Sequence, residues 1–138
     1  MSSLIVTEFM TLDGVMEAPG GEPTHPHAGW VMDFMGPEQM AYKLAEVLAA
    51  ESLMIGRVTY EGFSAAWPER DGEFADKMNG MAKYVVSSTL TEPLAWNNST
   101  VVTGDIAAEV TRLKQPFRLG ESTTFPSGVA VHSYHPVG

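Results

Sequence analysis

Residues 52–63 read SLMIGRVTYEGF, a short apolar run that a glycine interrupts before the chain continues with mixed polarity. The run at 52–55 is typical of a buried strand, and the Gly56–Arg57 break after it predicts a turn. Thr59 can then cap a helix, which is expected to end before Trp67 because proline restricts the residue that precedes it. This stretch therefore predicts a strand that leads directly into a helix, the repeating unit of α/β folds.

The same alternation continues on both sides of this stretch. Upstream, Pro37 and Glu38 favour a helix start, and the apolar stripe that follows is expected to cover a sheet face. The stripe comprises Met40, Leu44, Val47 and Leu48. Downstream, a helical turn is expected at residues 74–78, and a helix is expected after Gly104. The apolar face of that last helix would consist of Ile106, Val110 and Leu113.

Five runs of β-forming residues predict the strands. They are residues 4–10, 52–55, 84–86, 100–103 and 129–134. The last run follows a turn at 125–128 and alternates polar and apolar residues, as a terminal antiparallel strand does. Because the other strands alternate with helices, the chain is predicted to form an α/β sandwich with a mostly parallel sheet.

Composition limits what this chain of 138 residues can do. With 8 Lys and Arg against 17 Asp and Glu, the formal net charge is −9, which disfavours binding to nucleic acids and anionic membranes. The absence of cysteine excludes disulfides, thiolate zinc sites and a cysteine nucleophile. The length fits a single domain over residues 1–138, and the lack of a leader or spanning pattern predicts a cytoplasmic protein.

The candidate site lies in the polar segments that follow the predicted strands, because ligands of open α/β sheets bind beyond the carboxyl ends of the strands. Four such segments are residues 11–14 with the loop at 17–29, residues 56–61, residues 87–89 and residues 103–105. The long loop is rich in proline, glycine and histidine, which is typical of a binding loop.

The segment at Gly56 has the residue types that a phosphate site needs. Glycine lets the backbone approach an anion, the new helix presents free N–H groups, Thr59 adds a hydroxyl and Arg57 adds a planar cation. Arg57 is also the one cation between Lys43 and Arg70. The alternative is an ordinary strand-to-helix turn in which Thr59 caps the helix and Arg57 pairs with a surface acid.

The other polar strand ends have simple structural alternatives. Ser87 and Ser88 could hydrogen-bond the ribose or a phosphate of a nucleotide, or could form only a polar turn with Thr89. Asp105 is interpreted as the N-cap of the next helix. Asp13 could face a substrate or belong to a common Asp-Gly turn.

A metal site is not expected from the histidines. His25 and His27 are separated by a proline that stiffens them in extended geometry, and no pair of histidines has the i, i+4 spacing of a helical site. The chain also matches neither a nucleophile elbow nor a Walker loop.

Five motifs, in this order, give the chain a resemblance to a known family. They are TLDGVM at 11–16, GRVTYE at 56–61, KYVVSST at 83–89, VTGD at 102–105 and TFPSGV at 124–129. With them the chain resembles the dihydrofolate-reductase-like superfamily, specifically bacterial proteins similar to the C-terminal reductase domain of bifunctional riboflavin biosynthesis enzymes. The resemblance runs from residue 4 to about residue 114 and again from 117 to 138. It implies a three-layer sandwich around a mostly parallel sheet.

The resemblance implies NADPH as the cofactor, held at the ends of three strands. Its phosphates would lie at Gly56, Arg57 and Thr59, its adenosine ribose or 2′-phosphate at Ser87 and Ser88, and its adenine at Thr103 and Gly104.

The resemblance also implies a reaction and a substrate region. The family transfers hydride to a C=N or C=O carbon of a pteridine- or pyrimidine-type substrate, and its riboflavin-pathway member reduces a ribosylamino pyrimidine to the ribitylamino form. The substrate would lie near Asp13, Gly14 and the loop through Trp30. The carboxylate motif of true folate reductases does not occur in this chain, so the resemblance transfers no catalytic acid, and Asp13 is our own choice of catalytic group. Homodimers are usual in the family.

One segment of the family pattern is missing from this chain. Members normally continue from the helix after Asp105 into a strand with a Gly-Ser-Gly-like turn, another helix and further strands. Here residues 115–118 join that helix directly to what resembles the last hairpin, so a central strand-helix-strand unit is absent. The alternative function is therefore a truncated, non-catalytic nucleotide-binding or interaction module of the same fold.

Overall fold

The computed structural model describes residues 5–21, 25–106, 108, 117–125 and 130–136. The chain divides into two compact units, the terminal unit (residues 1–40 and 110–138) and the central unit (residues 41–109). The helices and strands, in chain order, are a 3₁₀ helix at Trp30–Asp33, α1 at Pro37–Ala49, β1 at Ser52–Gly56, α2 at Arg57–Ala66, α3 at Glu73–Gly80, β2 at Ala82–Val86, β3 at Ser99–Val102, β4 at Phe117–Thr124 and β5 at Ala130–Pro136.

The central unit contains a three-stranded parallel sheet in the order β1-β2-β3. Its register pairs Gly56 with Val86 and Val86 with Val102, so the carboxyl ends of the three strands lie side by side. In the terminal unit, β4 and β5 form an antiparallel pair. The prediction of a mixed α/β fold with a parallel sheet and an antiparallel C-terminal strand is therefore confirmed.

One face of the parallel sheet carries the core of the central unit. In β2, Lys83 and Val85 are buried while Tyr84 between them is exposed, because successive side chains of a strand point to opposite faces. The buried cluster on this face draws on α2, α3 and the loop after β2. It comprises Tyr60, Met78, Met81, Val85 and Trp96.

Two local predictions near β1 are wrong in detail. β1 is not fully buried: Met54 is exposed while Leu53 and Ile55 are half-buried, because Met54 pairs with the exposed Tyr84 on the face opposite the buried cluster. Thr59 is not the N-cap of α2, since the helix begins at Arg57 and Gly56 occupies the cap position with extended backbone.

The prediction of a strand at residues 4–10 is wrong for the part that the structure describes. Of this run, residues 5–10 belong to neither sheet, and Ile5, Val6 and Met10 are exposed. β-propensity measures how well side chains fit a pleated, half-buried surface, so a β-rich run forms a strand only where the tertiary fold offers a sheet to join.

Two further predictions concern helix α1 and the helix that follows Asp105. The prediction of helix α1 is confirmed, but the expectation that its whole apolar stripe covers a sheet face is not, since Val47 packs against the core while Met40 and Leu48 are exposed. Asp105 caps the next helix, since its Oδ1 accepts a hydrogen bond from Ala108 N at 2.9 Å. Most of that helix and the turn at 125–128 lie outside the described residues. Among the helices that are described, none has the length and apolar character to cross a membrane.

Candidate functional site

The carboxyl ends of β1, β2 and β3 open onto a groove of about 620 Å³ in the central unit. The strand register creates this groove, because it brings together the start of α2, the turn after β2 and the turn after β3. Its lining consists of Arg57, Val86, Ser87, Ser88, Thr89, Thr103, Gly104 and Ile106. A concave site at the carboxyl edge of a parallel sheet is where α/β proteins bind ligands.

Most of the residues proposed for the cofactor meet in this groove. Five of them line it: Arg57, Ser87, Ser88, Thr103 and Gly104. Gly56 and Thr59 belong to the adjoining strand-to-helix junction but are not part of the lining. The apolar lining residues Val86 and Ile106 were not predicted, since an apolar strand or helix residue gives no sequence signal that distinguishes a groove wall from a core position.

The start of α2 is the electropositive element of the groove. Its N-cap, Gly56, has no side chain, so no side-chain oxygen satisfies the first N–H groups of the helix. These groups and the helix dipole favour a negative ligand. Arg57 is the first residue of the helix and the one cation among the described residues that line the groove. The arrangement fits the phosphate interpretation of this segment.

Arg57 also forms the surface ion pair that was expected if this segment is an ordinary strand-to-helix turn. Its Nη1 donates hydrogen bonds to Oε1 and Oε2 of Glu61, both at 2.9 Å. The two side chains are 44% and 50% exposed. An exposed pair with i, i+4 spacing contributes only about 0.3–0.5 kcal/mol, which leaves the guanidinium able to bind a ligand as well.

The turn after β2 uses the Ser87 hydroxyl for its own structure. Ser87 Oγ accepts hydrogen bonds from Thr89 N at 3.1 Å and from Leu90 N at 3.0 Å, and the side chain is buried. This arrangement is the polar turn that was the alternative for this segment. Ser88, in contrast, is exposed and lines the groove beside it.

The turn after β3 depends on Gly104. Its φ of 97° lies in the left-handed region, where side chains are strained, although a Cβ there would meet nothing within 4 Å. The glycine is therefore required by the backbone conformation and not by space. The turn places Thr103 and Gly104 on the groove wall and leads into the helix capped by Asp105.

The predicted substrate residues lie in the terminal unit. Asp13 sits in a turn closed by Gly14 N donating to Thr11 O at 3.0 Å, and Thr11 Oγ1 donates to Asp13 Oδ1 at 2.5 Å. This hydrogen bond stabilises the carboxylate and holds the pKa of Asp13 below its usual value. Asp13 is therefore an anion and a hydrogen-bond acceptor at neutral pH. Trp30 Nε1 donates to Glu17 O at 3.0 Å and so ties the end of the loop to its start.

The histidines and acids do not gather into a metal site in the part of the chain that the structure describes. Within residues 5–21, 25–106, 108, 117–125 and 130–136, no three His, Asp or Glu side chains form a ligand set. His25 Nδ1 accepts a hydrogen bond from His27 N at 3.1 Å, which occupies one of its two ring nitrogens.

A comparison with models of protein families identifies a family for this chain. The family model described as the RibD C-terminal domain matches residues 2–130, a range that includes the groove of the central unit as well as Asp13, Gly14 and Trp30. A search of curated proteins finds no match.

Proposed function

Since the chain belongs to the RibD C-terminal domain family, the dihydrofolate-reductase-like domain of the riboflavin biosynthesis deaminase/reductase, we propose that it is an NADPH-dependent reductase. Its proposed substrate is a pyrimidine- or pteridine-type compound that accepts hydride at a C=N or C=O carbon. The family itself supports a reductase-like function related to riboflavin biosynthesis. The observation that carries the proposal is the groove at the strand ends, with Arg57 at the start of α2.

The groove fits the adenosine and phosphate part of NADPH. A protein with a net charge of −9 must meet an anionic cofactor locally, and Arg57 with the free N–H groups of α2 would do so. Ser88 and Thr103 offer hydroxyls for a ribose or phosphate, while Val86 and Ile106 offer apolar surface for a base. A volume of about 620 Å³ lies within the usual range of ligand sites.

Bound NADPH would supply the hydride, so the residues of this chain contribute binding and orientation. Arg57 would hold a phosphate through charge-assisted hydrogen bonds. Ser87 would keep the turn after β2 in shape, since two backbone N–H groups bind its Oγ, and would present Ser88 to the ligand. Gly104 would hold the turn after β3 in the conformation that borders the adenine.

In the terminal unit, Asp13, Gly14 and Trp30 are proposed to bind the substrate. The ionised carboxylate of Asp13 is a hydrogen-bond acceptor, which suits the N–H and amino groups of a pyrimidine or pteridine ring. In this role Asp13 would orient the ring and would not serve as a proton donor. By the resemblance we further propose a homodimer that works in the cytoplasm.

The proposal is tested by titrating NADPH into the protein and its Arg57→Ala variant, with calorimetry as the measurement. We expect wild type to bind and Arg57→Ala to bind roughly tenfold more weakly, because a charge-assisted hydrogen bond is lost. Lys77→Ala, which removes one positive charge outside the groove, is the matched control and should bind as wild type does. An Arg57→Ala variant with wild-type affinity, or a wild type without measurable affinity, contradicts the proposal.

A second candidate is a nucleotide-binding module without catalysis. It is favoured by one observation: the described residues that line the groove all belong to the central unit, so such a module would bind the nucleotide without Asp13, Gly14 or Trp30. NADPH binding without oxidation in the presence of pteridine and ribosylamino pyrimidine substrates would support this candidate. Oxidation of NADPH that depends on such a substrate would exclude it.

A further inference from the structure

We propose that Glu61 is a positioning residue for the phosphate site, which favours one orientation of the Arg57 guanidinium and at the same time weakens the attraction of the site for anions. The proposal rests on the proposed function in one respect, since it takes Arg57 as the cation that binds phosphate. Glu61 is the acid of the GRVTYE motif, and it is not among the residues that line the groove. The proposal therefore gives a role in ligand binding to a residue outside the groove.

The geometry of the ion pair carries the proposal. Both oxygens of Glu61 accept from the same nitrogen, Nη1 of Arg57, at 2.9 Å each. A guanidinium has five N–H donors, and a fork-to-fork pair would use two of its nitrogens. Here the carboxylate engages a single nitrogen, so among the described residues Nε and Nη2 keep their N–H groups for a ligand. The ion pair with Glu61 therefore orients the guanidinium and leaves the N–H groups of Nε and Nη2 for a ligand.

The position of Glu61 in α2 keeps its carboxylate outside the groove in which the ligand would bind. Glu61 follows Arg57 by four residues and therefore lies one turn further along the same side of the helix. The groove opens at the N-terminal end of α2, where Arg57 is the first residue. The carboxylate is thus close enough to reduce the positive potential at Arg57 but does not occupy the groove.

These two effects of Glu61 act in opposite directions on an anionic ligand. Holding the guanidinium reduces the entropy that Arg57 loses when a phosphate binds. The negative charge opposes the approach of the phosphate, to an extent that solvent limits because the two side chains are 44% and 50% exposed. Replacement of Glu61 by Gln removes the charge and retains a side-chain oxygen that can accept from Nη1, so it isolates the electrostatic effect.

The test measures the dissociation constants of inorganic pyrophosphate and of NADPH by calorimetry for wild type and Glu61→Gln. We expect Glu61→Gln to bind both ligands roughly two- to fivefold more tightly at low salt, with the gain falling as salt is added. Glu69→Gln removes the same charge from an exposed loop position and should not change either affinity. In the Arg57→Ala background, Glu61→Gln should give no gain, because the effect acts through Arg57.

The result that overturns the proposal is a Glu61→Gln variant that binds pyrophosphate no more tightly than wild type. An equal gain in Glu69→Gln, or a gain that persists without Arg57, also overturns it, and so does the absence of pyrophosphate binding to both proteins. A wild type that binds pyrophosphate in the expected pattern but does not bind NADPH would instead contradict the proposed function and leave the role of Glu61 standing.

Discussion

Trp96 Nε1 donates a hydrogen bond to Asn79 Oδ1 at 2.7 Å, which links the loop after β2 to the end of α3. Asn79 Nδ2 in turn donates to Trp67 O at 3.0 Å, next to the end of α2. One carboxamide therefore connects three segments around the core of the central unit, where Trp96 is almost fully buried. A side chain that satisfies two groups in this way is costly to remove.

Asn79→Ala is expected to lower the free energy of unfolding by about 1–3 kcal/mol, because the buried indole N–H and the Trp67 carbonyl lose their partner. Urea denaturation followed by tryptophan fluorescence measures the change. Asn97→Ala, whose side chain is exposed, is the control and should stay within about 0.5 kcal/mol of wild type. Equal stability of the two variants would contradict the assigned role of Asn79.

Lys83→Met is expected to destabilise the central unit by about 3 kcal/mol. Lys83 is fully buried, and its Nζ donates to the carbonyl oxygens of Asn79, Met81 and Asn97 at 2.9, 2.8 and 3.1 Å. Nζ also lies 4.3 Å from the centre of the Trp96 ring. Methionine fills a similar volume but leaves three carbonyls without this donor.

The matched control for Lys83 is Lys77→Met on α3, which should change stability by less than about 0.5 kcal/mol. Thermal unfolding followed by circular dichroism compares the two. A Lys83→Met protein as stable as wild type would show that the carbonyls are satisfied in another way.

The titration of Asp13 is expected to depend on Thr11. The hydrogen bond from Thr11 Oγ1 holds the folded-state pKa of Asp13 below 3.8. Because a lowered carboxyl pKa favours folding only while the group is ionised, this contribution is complete above pH 3.8 and is lost as the pH falls through the folded-state pKa.

Carbon-detected NMR titration of the Asp13 carboxyl tests this dependence. Thr11→Val removes the hydroxyl at nearly constant size and should raise the pKa of Asp13 toward 3.8. An unchanged pKa in Thr11→Val would mean that another group stabilises the carboxylate.

The two serines after β2 are expected to respond differently to alanine substitution. Ser87→Ala removes the acceptor for Thr89 N and Leu90 N and should cost about 1–2 kcal/mol of stability. Ser88→Ala should leave stability within about 0.5 kcal/mol and weaken NADPH binding instead. Urea denaturation and an NADPH titration on both variants give the comparison, and a loss of stability in Ser88→Ala would reverse this assignment.

Alanine substitutions at the two glycines at the groove, Gly56 and Gly104, are expected to differ in their effects on NADPH affinity and on stability. Gly56 has a φ of −80° and open space around it, so Gly56→Ala is expected to keep its stability within about 1 kcal/mol of wild type, because reduced freedom of the unfolded chain offsets the poorer N-cap, and to hinder the approach of a phosphate. Gly104 has a φ of 97°, so Gly104→Ala should cost about 1 kcal/mol through backbone strain. Thermal unfolding and NADPH affinity are measured together, and Gly56→Ala with wild-type affinity would place the phosphate elsewhere.

Much of the central unit could be predicted from local patterns. The strand-to-helix step at Gly56, the strands around Val85 and Val101 and the cap at Asp105 follow from apolar runs, glycine breaks and polar caps, which act over a few residues. The run at residues 4–10 shows the limit of such patterns, because pairing with a sheet depends on distant parts of the chain.

The burial of Lys83 could not have been predicted in the same way. Strand alternation places it on the same face as Val85, yet lysine is almost never fully buried without partners. Its partners are backbone carbonyls, which every residue carries. The sequence therefore does not indicate which carbonyls surround the lysine.

The family, the residue types at the strand ends and the turns that hold them follow from the amino-acid sequence, since they depend on local chemistry and backbone preference. That Arg57, Ser88 and Thr103 share one groove follows from the tertiary fold, because the parallel register of three strands brings their ends together. The pairing of Arg57 with Glu61 is local instead, since the winding of α2 places residues with i, i+4 spacing on one side of the helix.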